Sequence, residues 1–154
     1  MARDLRTELK QTKPFRSLQH EALLSIQRTA AVVEHEFEAD IKPYGITATQ
    51  YNVLRILRGA GVDGLCRNEI RDRMLRRVPD VTRLLDRLEE MALVTRARTG
   101  DDRRFVTTRI TQSGLAILAT LDPLVDEVNA RQVARLDKAQ LRTLIDLLAE
   151  VRDR

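Results

Sequence analysis

Between Val81 and Ile110 the apolar residues change their period, and this change limits the fold more than any other feature of the chain. Val81, Leu84, Leu85, Leu88 and Met91 recur at helical spacing and form one apolar stripe. Directly after them come two β-prone runs, Val94-Thr95-Arg96-Ala97-Arg98 and Phe105-Val106-Thr107-Thr108-Arg109-Ile110, joined by Thr99-Gly100-Asp101-Asp102. Strands flanking a short Gly/Asp-containing link read as a hairpin. Side chains alternate across a strand, so Val106 and Ile110 are expected to face in, and Thr107 and Arg109 out. Upstream, residues 67–75 read as a short helix. Arg76-Arg77-Val78-Pro79 then makes a tight connection into a helix over 79–91, with Pro79 in its first turn, where the missing N–H costs nothing.

Longer helices flank this unit. Residues 1–16 are polar and read as a loose arm or a short helix start. Leu23, Ile26, Ala30, Val33 and Phe37 lie on one face of a long helix that stops where Lys42-Pro43-Tyr44-Gly45 interrupts it. Thr47 with Gln50 makes a capping box for the next helix, whose buried side carries Tyr51, Leu54, Ile56 and Leu57. Gly59, Gly61 and Gly64 then mark 58–64 as a loop. Thr111-Gln112-Ser113 opens another long helix, which Pro123 is placed to kink or break; Val125, Val128 and Leu136 continue its apolar face. Asp137 and Gln140 cap a last helix with Leu141, Leu144, Ile145, Leu148 and Val151 on one side. The reading is a mainly α chain with a small β-hairpin wing. Two helices across a short turn, followed by a hairpin, describe a winged helix-turn-helix over 47–111. It lies within a single domain, 1–154. The segments 18–42 and 112–154 carry more apolar face than a small domain needs, and mutual burial in a symmetric homodimer would use it. The alternative is a monomer whose end helices cover its own winged unit.

Charge placement points to a partner. The net charge is only +4, yet residues 67–109 hold 12 basic residues, all Arg, against 8 acidic ones. An arginine fork donates two parallel hydrogen bonds, which suits phosphate and guanine; a GC-rich genome also favours Arg. On the outer face of helix 79–91 stand Asp80, Thr82, Arg83, Asp86, Arg87 and Glu90. Glu89 and Glu90 at its far end would repel DNA, so the N-terminal half is expected to enter the major groove. Thr82 and Arg83 are then placed near base edges, Arg87 on base or backbone, and Arg76 and Arg77 on phosphate. The bland alternative is a solvated helix with Arg83–Asp86 and Arg87–Glu90 pairs. At the hairpin tip, Arg103 and Arg104 suit a narrow minor groove, and Asp102 is placed to hold the wing by pairing with a neighbouring arginine.

Other function classes fit poorly. Five aromatics, Phe15, Phe37, Tyr44, Tyr51 and Phe105, make no stacking platform for single strands. No nucleophile–base pair, metal-ligand spacing or phosphate-binding glycine loop points to an enzyme, and neither metal nor cofactor is expected. The lone Cys66 excludes an internal disulfide framework. No stretch approaches the ~20 apolar residues that span a bilayer, and MARDLRTELK lacks an apolar signal core, so no membrane partner and a cytoplasmic location are expected. A winged helix that docks other proteins, without specific DNA binding, is the alternative function; the basic face argues against it.

VPDVTRLLDRLEEMALV (78–94) followed by DRRFVTTRIT (102–111) resembles the multiple-antibiotic-resistance regulator (MarR) family, and the likeness extends through Thr49-Gln50-Tyr51-Asn52-Val53-Leu54. The family's wing signature falls on Asp102, Arg103 and Arg104. The resemblance implies a homodimeric winged-helix transcription factor, usually a repressor, with Arg104 in the minor groove of double-stranded DNA. It also implies release by oxidation or by a small effector, aromatic or phenolic, bound between the winged unit and the dimer helices. His20, His35, Tyr44 and Tyr51 are candidate lining residues. Two departures stand out. Redox-sensing members keep a reactive cysteine near the first helix, and here Cys66 stands instead where a hydroxyl often caps the short helix. Ala92 stands where the family often has Gly, which is tolerable if the backbone there stays in a common conformation.

Overall fold

The computed structural model describes residues 4–98 and 106–153. These fall into two compact units, one ending at Asp40 and one starting at Ile41. The first holds α1 (Leu5–Glu8) and all but the last residue of α2 (Leu18–Ile41). The turn after α1 is closed by the Arg6 guanidinium, which donates to the carbonyls of Gln11 (3.2 Å) and Thr12 (2.8 Å). The Ser17 hydroxyl accepts the His20 N–H at 3.1 Å and starts α2. None of residues 18–40 is buried, although Leu23 and Val33 sit on the apolar face read from the sequence.

The second unit opens with a 3-10 turn, Lys42–Tyr44, closed by Gly45 at φ 78°, a conformation glycine adopts without strain. The Thr47 hydroxyl accepts the Gln50 N–H (3.1 Å) and the Gln50 side chain accepts the Thr47 N–H (2.9 Å), so α3 (Ala48–Ala60) begins on the expected capping box. This helix runs further than its glycines suggest, and the expected loop shrinks to a 3-10 turn, Gly61–Asp63. The reason lies at Arg58. Both its terminal nitrogens donate to the Asp122 carboxylate, at 2.8 and 3.1 Å, and tether the last turn of α3 to α6 (Gln112–Gln132).

The helix-turn-helix and wing follow. β1 (Leu65–Cys66), too short to show a period in the sequence, joins α4 (Arg67–Arg73), α5 (Val81–Glu90), β2 (Val94–Arg98) and β3 (Val106–Ile110). The sheet is antiparallel in the order β1-β3-β2, with Val94 opposite Ile110 and Arg96 opposite Thr108. Four expectations change here. Helix α4 ends before 75, because the Leu75 N–H leaves the helix and donates to Asn52 Oδ1 of α3 at 3.1 Å. Helix α5 starts at Val81, because Asp80 is its N-cap and accepts the Arg83 N–H at 2.9 Å; Pro79 precedes the cap. Val106 shares the inward face but is 39% exposed opposite Arg98, so the buried strand residue is Thr108. Arg109, expected outward, is half-buried and donates from Nε to the Val62 carbonyl at 2.8 Å.

Helix α6 continues unbroken through Pro123, and the Asp137–Gln140 capping box starts α7 (Lys138–Arg152). The buried side chains of this unit include Leu54, Leu57, Ile70, Leu85, Leu88 and Leu118, drawn from α3 to α6. Helix α7 buries none of its residues, and Leu144, Ile145, Leu147 and Val151 are 40–55% exposed.

The end of α5 carries a backbone irregularity. The Leu93 N–H donates to the Leu88 carbonyl (3.0 Å) and the Ala92 N–H to the Glu89 carbonyl (2.9 Å), a Schellman closure that puts Ala92 at φ 59°. The condition under which alanine is tolerable there is therefore not met. A left-handed alanine costs ~1–2 kcal/mol, of which the greater freedom of an unfolded glycine offsets a part. Ala92→Gly is expected to raise stability by about 0.5–1 kcal/mol in denaturant titrations; an unchanged or lower midpoint would remove the strain argument.

Candidate nucleic-acid interface

Helix α5 is held from beneath by Val81, Leu85 and Leu88, which are buried, and this turns Thr82, Arg83 and Arg87 outward. Its N-terminus is fixed twice. Asp80 caps it, so this carboxylate, grouped in the sequence with the DNA-facing side chains, is engaged by the helix itself. Arg67 at the start of α4 donates from Nη1 to the Thr82 hydroxyl at 3.2 Å. Arg76 and Arg77 are exposed in the connection between α4 and α5. Neither Arg83 nor Arg87 has an ion pair among the described residues. The helical pairs that spacing allows, Arg83–Asp86 and Arg87–Glu90, are not formed.

Asp86 is instead taken by Arg96 of β2. Arg96 Nη2 lies 2.5 Å from Asp86 Oδ1 and 2.6 Å from Glu89 Oε2, its Nε donates to Glu89 Oε2 at 2.9 Å, and its backbone N–H donates to Glu89 Oε1 at 3.0 Å. Glu89, read from the sequence as a repulsive charge at the far end of α5, is thereby matched by a cation. Strand alternation carried the signal: Arg96 shares a face with Val94, which is buried. Arg103 and Arg104, with Asp102, lie outside the described residues; Arg98, the last described residue of β2, is exposed.

The wing is joined to α6 as well as to α5. The Thr111 hydroxyl donates to the Ala92 carbonyl at 2.7 Å and accepts the Gly114 N–H at 3.0 Å, while the Thr111 N–H donates to the Leu93 carbonyl at 3.1 Å. Thr111 thus caps α6 and ties its first turn to the end of α5.

A cleft of about 360 Å³ opens between α4, α5 and the sheet, lined among others by Cys66, Arg67, Thr82, Leu85, Arg96 and Thr108. None of His20, His35, Tyr44 and Tyr51 lines it. Tyr51 is buried, which raises its phenol above the usual range; His35 and Tyr44 are exposed. Cys66 occupies the N-cap position of α4, and its N–H donates to Glu69 Oε2 at 2.8 Å, so Glu69 closes the turn that the thiol caps poorly. Among the described residues no cluster of His, Cys, Asp or Glu could hold a metal ion, and no helix is long and apolar enough to cross a membrane.

Three carboxylates are held below their usual range. Glu69 accepts from the Cys66 backbone and thiol, Glu89 from the Arg96 guanidinium, and Asp122 from Arg58. Each favours its charged form in the folded chain. Their contribution to stability is complete above the ordinary carboxylate value and is lost as pH falls through the lowered one. Denaturation midpoints are expected to be flat above about pH 5 and to drop below about pH 4. Glu89→Gln with Asp122→Asn should shallow that drop; an unaltered acid limb would show that these pairs do not govern it.

Residues 44–104 match the MarR family. Over 137 residues the chain is 30% identical to the HTH-type transcriptional regulator TtmR of Methylorubrum extorquens (strain PA1), covering 89% of this chain and 68% of that protein. A MarR transcription factor from Planctomyces limnophilus is 36% identical, with a TM-score of 0.69 and coverage of 88% and 98%. A mutant MarR from E. coli, crystallised with operator DNA, is 25% identical with a TM-score of 0.77 and coverage of 97% and 99%. Sequence identity and fold thus run together over nearly nine-tenths of the chain, and the chain belongs to the MarR family of transcriptional regulators.

Proposed function

We propose that the chain works as a homodimeric repressor that binds a pseudo-palindromic duplex operator and leaves it when a small aromatic or phenolic effector binds. The observation that carries this reading is the outer face of α5, where Arg83 and Arg87 stand exposed without an ion pair among the described residues while Asp86 and Glu89 are taken by Arg96. In this reading Thr82 and Arg83 meet base edges, Arg87 meets base or phosphate, and Arg76 and Arg77 meet phosphate. Arg103 and Arg104 reach the minor groove, with Asp102 pairing a neighbouring arginine. The operator complex of the E. coli relative supports the mode of docking. The uncovered apolar side chains of α2 and of α7 support pairing of the end helices with a second copy. The cleft beside α5 lies within the winged unit and not between it and the dimer helices, where the resemblance places the effector; a ligand in this cleft would touch Thr82 directly.

Selection of bound sequences from a randomised duplex pool is the test. The wild-type chain should enrich two half-sites about 10 bp apart, one helical turn. Arg83→Ala should cost about 1–3 kcal/mol and relax the preference at one position of each half-site. A uniform loss over all sequences would make Arg83 a phosphate contact. Failure of the wild-type chain to enrich any sequence would overturn the proposal and leave the protein-docking alternative.

A further inference from the structure

We infer that Arg96 is a positioning residue for operator reading: it holds α5 and the wing strands as one body through Asp86 and Glu89, and keeps Asp86 from capturing Arg83. The inference rests on the DNA-binding reading above.

The geometry is that of a clamp. One guanidinium on β2 grips two carboxylates set three residues apart on α5, and the backbone N–H of the same residue holds the second oxygen of Glu89. Grip at two points along a helix fixes its rotation about its own axis as well as its distance from the sheet. Rotation decides whether Thr82 and Arg83 point at base edges, since successive side chains on a helix lie ~100° apart. Arg96 itself is only 23% exposed and faces α5, which sets it apart from the exposed arginines of α5 and of the connection before it. With Asp86 at 47% and Glu89 at 40% exposed, water screens these pairs and their contribution to stability is modest, so their larger effect is on orientation.

The charge argument points the same way. Asp86 is three residues from Arg83, on the same face of α5, whereas Glu89 is two residues beyond Arg87, a spacing at which side chains diverge. Without Arg96, Asp86 becomes available to Arg83 on the same helix face, a spacing at which opposite charges attract. An arginine drawn into such a pair competes poorly for phosphate or guanine. Arg96 therefore acts by occupying its rivals' partners, at a distance from the duplex.

The experiment compares wild type, Arg96→Gln, Arg96→Lys and the triple variant Arg96→Gln/Asp86→Asn/Glu89→Gln on the duplex selected by the wild type and on a scrambled duplex. Circular dichroism and molecular mass are measured in parallel. Arg96→Gln should bind the selected duplex at least about tenfold more weakly, the scale of one mismatched base pair. The triple variant should regain wild-type affinity for the scrambled duplex, because the competing Asp86 carboxylate is gone. It should not regain discrimination, because the clamp is still absent. Removing two carboxylates also raises the net charge, which by itself favours any duplex, so Arg96→Gln with Glu90→Gln and Asp72→Asn, carboxylates that Arg96 does not hold, is the charge-matched control and should recover less. Arg96→Lys keeps the charge and loses the fork, and should lose discrimination too; it decides the matter if Arg96→Gln fails to fold. Undiminished discrimination in the folded variants, or no recovery in the triple variant, overturns the inference. If the wild type itself selects no duplex, the underlying reading fails instead.

Discussion

Raising the salt concentration from about 50 to about 200 mM is expected to weaken binding to the selected duplex by about 10³-fold. Arg76, Arg77 and Arg87 supply three phosphate contacts per protomer in the proposed mode, and a twofold dimer doubles them to six. Each neutralised phosphate releases condensed counterion and contributes a slope of roughly −0.9 to log affinity against log salt, so the whole slope should lie near −5. Fluorescence anisotropy over a salt series measures it. Arg77→Ala removes one contact per protomer and should shallow the slope by about 2. A wild-type slope near zero would mean that the basic connection and α5 do not meet the backbone, and the docking mode would fall with it.

The second large effect concerns stability. Gly114 is buried in the first turn of α6, and a methyl group added there would overlap the Leu93 carbonyl oxygen and lie 2.6 Å from Ile110 Cγ1. Neither neighbour is free to move: the Leu93 carbonyl accepts the Thr111 N–H, and Ile110 pairs with Val94 in the sheet. Gly114→Ala is expected to cost about 1–3 kcal/mol through overpacking, against a helix-propensity gain of up to ~1 kcal/mol. Gly59→Ala is the control. Gly59 lies inside α3 with nothing within 4 Å of an added methyl, so the same change there should stabilise by roughly 0.5–1 kcal/mol. Thermal and urea denaturation of the two variants should move in opposite directions; equal shifts would deny that the junction at Gly114 is closely packed.

What the sequence disclosed, and what it hid, follows from the range of each interaction. The capping boxes at Thr47 and Asp137 depend on neighbours three residues apart, and each strand of the hairpin on alternation within its own run, so local pattern suffices for them. So does the outward display of Thr82, Arg83 and Arg87, because helical periodicity buries the opposite face. The partner of Asp86 was not legible, because Arg96 is ten residues away and arrives only when β2 folds back on α5. The continuation of α3 through Gly59 was hidden for the same reason, since Asp122 lies 64 residues from Arg58. Ala92 shows the reverse case: alanine says nothing locally of a left-handed backbone, yet the closure of α5 imposes one. His20, His35, Tyr44 and Tyr51 stand out as effector candidates by residue type alone, and side-chain type carries no information on which cleft a residue lines.

The three hydrogen bonds among Ala92, Leu93, Thr111 and Gly114 leave no slack between α5 and α6. A helix of 21 residues at ~1.5 Å per residue is a lever about 31 Å long, pivoted at its first turn. Displacing its far end by ~3 Å turns the pivot through about 5–6°. Carried rigidly along the 10 residues of α5, about 15 Å, that turn moves the end of α5 proposed to read bases by ~1.5 Å. A shift of that size exceeds the tolerance of a hydrogen bond to a base edge, so a modest tilt at one end of the molecule would be enough to disengage the other from a groove.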